Sequence, residues 1–118
     1  MSDSVKRFDA NNVIAGRILY LTKPDGSESE VRVSVGMPQP FEDLRDYWVP
    51  YRISGSGIEK EFYAGGIDEI QALQLALVSI GSELQALSRK LGGRLKWNTE
   101  EAYLGFPSCP HATWNQDE

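Results

Sequence analysis

The sequence predicts an α+β fold: a four-stranded antiparallel, meander-like sheet covered on one face by one long C-terminal helix, with an extended tail. Three observations carry this expectation. Strand-like runs separated by turn signals extend from Val13 to Ala64. One apolar stripe at helical spacing follows, within Gly65 to Gly93. A single short alternating run, Arg94 to Trp97, then leads into a polar tail. Strands grouped ahead of a helix place that helix on one face of an antiparallel sheet, and strands adjacent in sequence usually pair.

The helix has the clearest signal. Asp68 is a natural N-cap, because its carboxylate accepts from the free amide groups of the first turn, and Gln71 three residues on completes a capping box. Ile67 is positioned to staple onto Ala72, and Glu69 complements the positive end of the helix dipole. Arg89 and Lys90 fall in the last turn, and Gly92 and Gly93 supply the stop. Ile70, Leu73, Leu77, Ile80, Leu84, Leu87 and Leu91 recur every three or four residues and form one stripe, expected to be the inner face. A helix of about 24 residues is a rod roughly 36 Å long. Its other faces are too polar for a membrane span. Leu75 and Val78 point away from the stripe, so the sequence assigns them to contact with the chain's own tail or with a second subunit.

The strands follow from local pattern. Val13 to Leu21 is apolar on both faces near its end, with Gly16 marking a bulge or a close backbone approach. Lys23-Pro24-Asp25-Gly26 is a turn, since proline presets φ and glycine accepts positive φ. Val31, Val33 and Val35 alternate with Arg32 and Ser34 in the second strand. Pro38 and Pro40 end regular pairing, and Phe41 to Asp46 has room for one helical turn. Tyr47 to Ile53 is the third strand. Pro50 inside it cannot donate to a ladder, which predicts an edge strand or a bulge. Ser54 to Gly57 is a tight connection to the fourth strand, Ile58 to Ala64. After the helix, Arg94 to Trp97 reads as a short strand or extended tail, and Thr99 to Glu101 as the cap of a brief turn running to Leu104.

A chain of 118 residues suits one domain, with an ordered core over about 12–107 and loose termini. The net charge of −5 and the pI near 4.9 argue against nucleic acid as the partner, because phosphate binding needs clustered Lys and Arg. The same charge favours a basic protein partner. The single cysteine, Cys109, cannot form an internal disulfide, and the N-terminus lacks an apolar signal segment, so the expected setting is cytoplasmic with no membrane role.

Two segments carry a resemblance. Tyr47-Trp48-Val49-Pro50-Tyr51-Arg52-Ile53 and Gly65-Gly66-Ile67-Asp68-Glu69-Ile70-Gln71-Ala72-Leu73-Gln74-Leu75-Ala76-Leu77, together with Gly105-Phe106-Pro107, resemble a family of small bacterial proteins known only as a domain of unknown function. In that pattern the third strand reads W-x-C-P-[YF]-x-I and the helix opens G-[VI]-D-x-[LIV]-Q-A-L-x-L-A-L. The resemblance covers residues 13 to 107, with Val49 where the pattern has cysteine. It implies one domain and a bacterial cytoplasmic setting, and it brings no activity or site residue.

The residues themselves offer no constellation for catalysis, a metal or a cofactor. Cys109-Pro110-His111 is too short a frame for a metal site or an activated thiol. Gly55-x-Gly57 and Gly65-Gly66 lack a phosphate-loop context, and Asp68 and Glu69 would repel a phosphate. Glu42, Asp43, Asp46, Glu59 and Glu61 read as solvated carboxylates. Trp48, Tyr51, Arg52, Tyr63 and Trp97 are of the types enriched at binding hot spots and form the candidate binding surface, against a reading in which they cap the core. The expected function is therefore a non-enzymatic protein-binding module, immunity-like in its acidity. The alternatives are a small-ligand protein or enzyme with a pocket between helix and sheet, and a structural homodimer joined through Leu75 and Val78 or by edge strands.

Overall fold

Strands β1 (Val13–Thr22), β2 (Glu28–Gly36), β4 (Tyr47–Gly55) and β5 (Ile58–Gly66) pair antiparallel in chain order in the computed structural model, which describes residues 7–43, 45–92, 94–98 and 104–108. This is the expected meander, but among the described residues the sheet has six strands rather than four. β3 (Gln39–Pro40) continues the path of β2 along β4, and β6 (Leu95–Lys96) adds to the outer edge of β1. The helix α1 (Glu69–Lys90) is therefore followed by a strand and is not the last element. Its N-cap is the one the sequence specifies, with Gln71 N donating to Asp68 Oδ1 at 2.8 Å, while Gln71 Oε1 accepts at 2.8 Å from Ile67 N, one residue before the amide a capping box would use. Gly92, at φ +77°, ends it. Against the expectation that its other faces are too polar for a membrane span, α1 is by length and composition alone marginally apolar enough to cross one, but in the fold one face of it packs on β4 and β5.

Local chemistry explains most of the sheet. In the β1–β2 turn Asp25 Oδ1 accepts from Ser27 N at 2.9 Å. The Ser27 hydroxyl and amide hold the Asp25 carboxyl below its ordinary value. Ser56 and Gly57 form a two-residue hairpin loop with φ of 57° and 82°, the mirror-image turn that matches strand twist. A register irregularity lies between Val13 and Ala15, and Gly16 packs close to the Val33 carbonyl, as its position suggested. Between Phe41 and Asp46 the described residues form turns and bends rather than a helical turn.

Pro50 does not mark an edge. β4 lies inside the sheet, with β5 on one side and β2 and β3 on the other. The two-residue loop makes Gly55↔Ile58 a hydrogen-bonded pair, and alternation then makes Pro50↔Tyr63 a non-hydrogen-bonded one. The Pro50 nitrogen thus faces the β2–β3 side. There the ladder lapses between Val35↔Tyr51 and Gln39↔Trp48, so no donor is missed.

The core fills one face of the sheet. Leu19, Val31, Val33, Val35, Val49, Tyr51, Ile53 and Ala64 meet Ala72, Ala76, Ile80, Leu84 and Leu87 of α1, with Leu95 and Leu104 beyond the helix. The inner face of α1 is therefore rotated from the expected stripe in its first turns. Ala72 and Ala76 face the sheet, Ile70 is 63 % exposed, and Leu73, Leu77 and Leu91 flank the core half-buried. Ile67 is 70 % exposed and does not staple. The cause lies in how the chain enters the helix. Gly66 abuts the backbone of Ala72, which turns Ala72 inward, and residues two apart on a helix point about 200° apart. The roof is completed by the C-terminal segment. The Arg17 guanidinium lies 4.0 Å from the Trp97 ring and 4.7 Å from the Phe106 ring and donates to the Leu104 carbonyl at 3.0 Å. Phe106 and Pro107 pack against Gly81 of the helix.

Candidate functional site

Among the described residues, no α-helix lies over the face of the sheet opposite α1. Alternation along β4 and β5 sends Trp48, Arg52, Glu59, Glu61 and Tyr63 to this face, because Val49, Tyr51, Ile53 and Ala64 are committed to the core. Trp48 and Tyr63 meet edge-to-face at 5.8 Å, and Phe41 meets Tyr63 in the same manner at 6.4 Å. Edge-to-face contact is the favoured geometry for aromatic pairs. The Trp48 indole donates to the Pro40 carbonyl at 3.3 Å, which fixes the ring against β3. All three rings are half-buried, so each keeps surface open to solvent.

Arg52 is the hub of the charges. It donates through Nη2 at 2.6 Å and Nε at 2.9 Å to Glu59 Oε2, and its Nε lies 3.6 Å from Glu61 Oε2. The hydrogen bonds to Glu59 hold its guanidinium above the ordinary value. Phe8 of the N-terminal segment lies 5.8 Å from the guanidinium carbon. That segment crosses the open face, anchored by the bond from Met37 N to the Asn12 carbonyl at 2.9 Å. Between it and β4 lies a cleft of about 180 Å³ whose walls include Arg7, Asp9, Met37, Trp48 and Pro50. On the far side of the aromatic rings, the loop after Phe41 carries exposed Glu42, Asp43 and Asp46. The Arg45 amide donates to Asp43 Oδ1 at 2.9 Å and holds that carboxyl below its ordinary value.

The structure thus divides the candidate set. Trp48, Arg52 and Tyr63 share the open face. Tyr51 is in the core, where its hydroxyl donates to Glu83 Oε2 at 3.4 Å, while Lys60 Nζ reaches Glu83 Oε1 at 3.6 Å. Trp97 lies on the core side, against Arg17. Leu75 is 41 % exposed and Val78 is half-buried. Phe41 and Arg17 were not singled out by sequence reasoning. No local pattern distinguishes a loop phenylalanine that reaches a sheet, or a strand arginine whose ring partners lie some 80 to 90 residues away.

Tyr51 illustrates what this site does not do. Burial first, and the Glu83 carboxylate second, push its hydroxyl up to about 12. It keeps its proton throughout the physiological range and ties β4 to α1. Ultraviolet titration is expected to show one tyrosine ionising near pH 12. The folded value lies above the unfolded one of 10.0, so this contribution to stability is full below pH 10 and declines as pH rises towards 12. Replacement of Tyr51 by phenylalanine removes that step.

Among the described residues no three His, Cys, Asp or Glu side chains converge as metal ligands. Cys109 and His111, and the expected turn at Thr99 to Glu101, lie outside the described residues. Gly55 and Gly57 belong to the hairpin and Gly66 to the helix entry, so neither pair forms a phosphate loop.

Comparison with known proteins places residues 15–108 within a family described as a domain of unknown function (DUF6968), close to the span of 13 to 107 over which the resemblance was drawn. No curated protein and no solved structure matches the chain.

Proposed function

We propose, from the premise that this chain belongs to the DUF6968 family of domains of unknown function, that it is a non-enzymatic binding module whose open sheet face takes a basic protein segment. One observation carries the reading: the aromatic trio Phe41, Trp48 and Tyr63 is flanked by carboxylates. Glu42, Asp43 and Asp46 stand on one side and Glu59 and Glu61 on the other; with Asp9 and Arg7 of the cleft beside Trp48, six acids stand against the three bases Arg7, Arg45 and Arg52. Exposed aromatic rings bind Lys and Arg through their π-faces, and the surrounding carboxylates steer and pair such cations. The net charge of −5 acts in the same direction. Neutralisation of a basic protein in the cytoplasm, as immunity proteins do, is one form this binding would take.

A second reading, a small-ligand protein, draws on the cleft beside Trp48 rather than on the helix–sheet interface, which is filled by fully buried side chains. Affinity capture from a native lysate separates the two. The expected result is a basic protein retained by the wild-type chain, released by salt, and retained at least tenfold less by Trp48→Ala and Tyr63→Ala, as befits aromatic anchors. Equal capture by the wild-type and variant chains, or no specific protein at all, would refute the reading.

A further inference from the structure

We propose that β5 pairs edge-to-edge with β5 of a second copy, antiparallel about a two-fold axis at Phe62, so that two sheets become one. β5 is the terminal strand on its side, and among the described residues β4 alone pairs with it. An isologous contact requires a strand complementary to its own reverse. β5 has that property in one register.

The backbone sets the first condition. Because Gly55↔Ile58 is a hydrogen-bonded pair, Ile58, Lys60, Phe62 and Ala64 direct their amides and carbonyls to β4. Glu59, Glu61, Tyr63 and Gly65 direct theirs outward. A two-fold axis at Phe62 places Glu61 opposite Tyr63 and Glu59 opposite Gly65, and these outward groups close a ladder. It also uses all nine residues of β5.

The side chains set the second. The first half of β5 is long and charged (Ile58, Glu59, Lys60, Glu61), and the end is small (Ala64, Gly65, Gly66). With the axis at Phe62, Lys60 lies over Ala64, Glu59 over Gly65 and Ile58 over Gly66. No like charges oppose. An axis at Glu61 sets Glu61 against itself, and an axis at Lys60 opposes both Lys60 with Lys60 and Glu59 with Glu61; directly opposed like charges destabilise a sheet. An axis at Tyr63 shortens the ladder to Lys60–Gly66. Phe62 then meets its own mate at a non-hydrogen-bonded position, where side chains approach most closely. The Phe62 ring stacks on Tyr63 of its own strand at 5.3 Å yet stays 62 % exposed on an edge strand, a position that soluble proteins usually guard, and the mate covers it. The axis is perpendicular to the sheet, so both open faces lie on the same side and the two aromatic trios share one platform.

Light scattering on the full chain tests the proposal. The expected mass doubles from 13.2 kDa with rising concentration, and Phe62→Lys returns it to 13.2 kDa with an unchanged circular dichroism spectrum, since the ring is not part of the core. In a Cys109→Ser background, Phe62→Cys is expected to cross-link to itself on mild oxidation. Lys60→Cys is expected not to, because its mate lies four residues along the ladder, about 13 Å away, beyond disulfide reach. A monomer up to about millimolar protein overturns the proposal. So does a dimer that Phe62→Lys leaves intact, which would put the contact on another surface such as that of Leu75. Protected β5 amides in a monomer also overturn it, because the edge is then covered by the chain itself. Partner capture on the open face is read separately through Trp48, so the two proposals fail independently.

Discussion

Truncation of Ile80 to alanine is expected to destabilise the protein by about 2–5 kcal/mol, whereas truncation of Ile70 to alanine changes stability by less than about 0.5 kcal/mol. Both residues belong to the same apolar stripe in the sequence. Ile80 is fully buried where α1 crosses β4 and β5, among Tyr51, Ile53, Ala76 and Leu84 of the core. Its removal forfeits the transfer energy of three carbons and leaves a cavity that close-packed neighbours fill only in part. Ile70 is 63 % exposed, so most of its surface already contacts water in the folded chain. Urea unfolding of the two variants checks the contrast, with the midpoint falling sharply for Ile80→Ala alone. Equal losses at the two positions would place the helix in the phase of the sequence stripe.

Gly66→Ala is expected to cost about 2–4 kcal/mol, out of proportion to the one methyl group it adds. A Cβ at this position stands 2.8 Å from Ala72 Cα and 2.9 Å from Gln71 C, and closer still to Ala72 N. These are backbone atoms in the first turns of the helix, so no rotamer change relieves the clash. The helix must slide or tilt on the sheet, and the Asp68–Gln71 cap and the Ala72 contact move with it. Gly57→Ala provides the comparison. It has positive φ but nothing within 4 Å, so it bears only the cost of the left-handed conformation, about 1–2 kcal/mol. Thermal unfolding of the two variants orders them, with Gly66→Ala the lower. The reverse order would show that conformation, and not the approach of helix to strand, restricts Gly66.

Much of the fold was legible because its signals are local. Period-two valines in β2, the proline–glycine turn before it and the Asp68–Gln71 cap each act over a few residues, and each appears in the structure where its chemistry placed it. For Pro50 the sequence allows an edge or a bulge; β4 is not an edge, but the four steps from Val35 to Gln39 oppose three from Tyr51 to Trp48, an irregularity of the second kind. The sequence shows the proline but not that its nitrogen faces the lapse between β2 and β3. The candidate site was legible in half. Trp48, Arg52 and Tyr63 fall on one face through alternation. Tyr51, adjacent to Arg52, goes to the other by the same rule, a consequence available from the sequence once Val49 and Ile53 are taken as core.

By itself the sequence determined the element types, the caps and turns, the chain-order pairing of the four long strands and the acidic character of the surface. These follow from side-chain size, charge and backbone preference within a short window. The tertiary structure alone decided the phase of α1, the addition of β3, the pairing of the expected Arg94 to Trp97 run with β1 as β6, the aromatic trio with Phe41, and the Arg17 clasp on Trp97 and Phe106. Each of these depends on a contact between segments remote in sequence or on the angle at which one element meets another. The close approach of Gly66 to Ala72 turned alanines rather than Ile70 towards the sheet, and that contact between strand end and helix set which apolar residues became core.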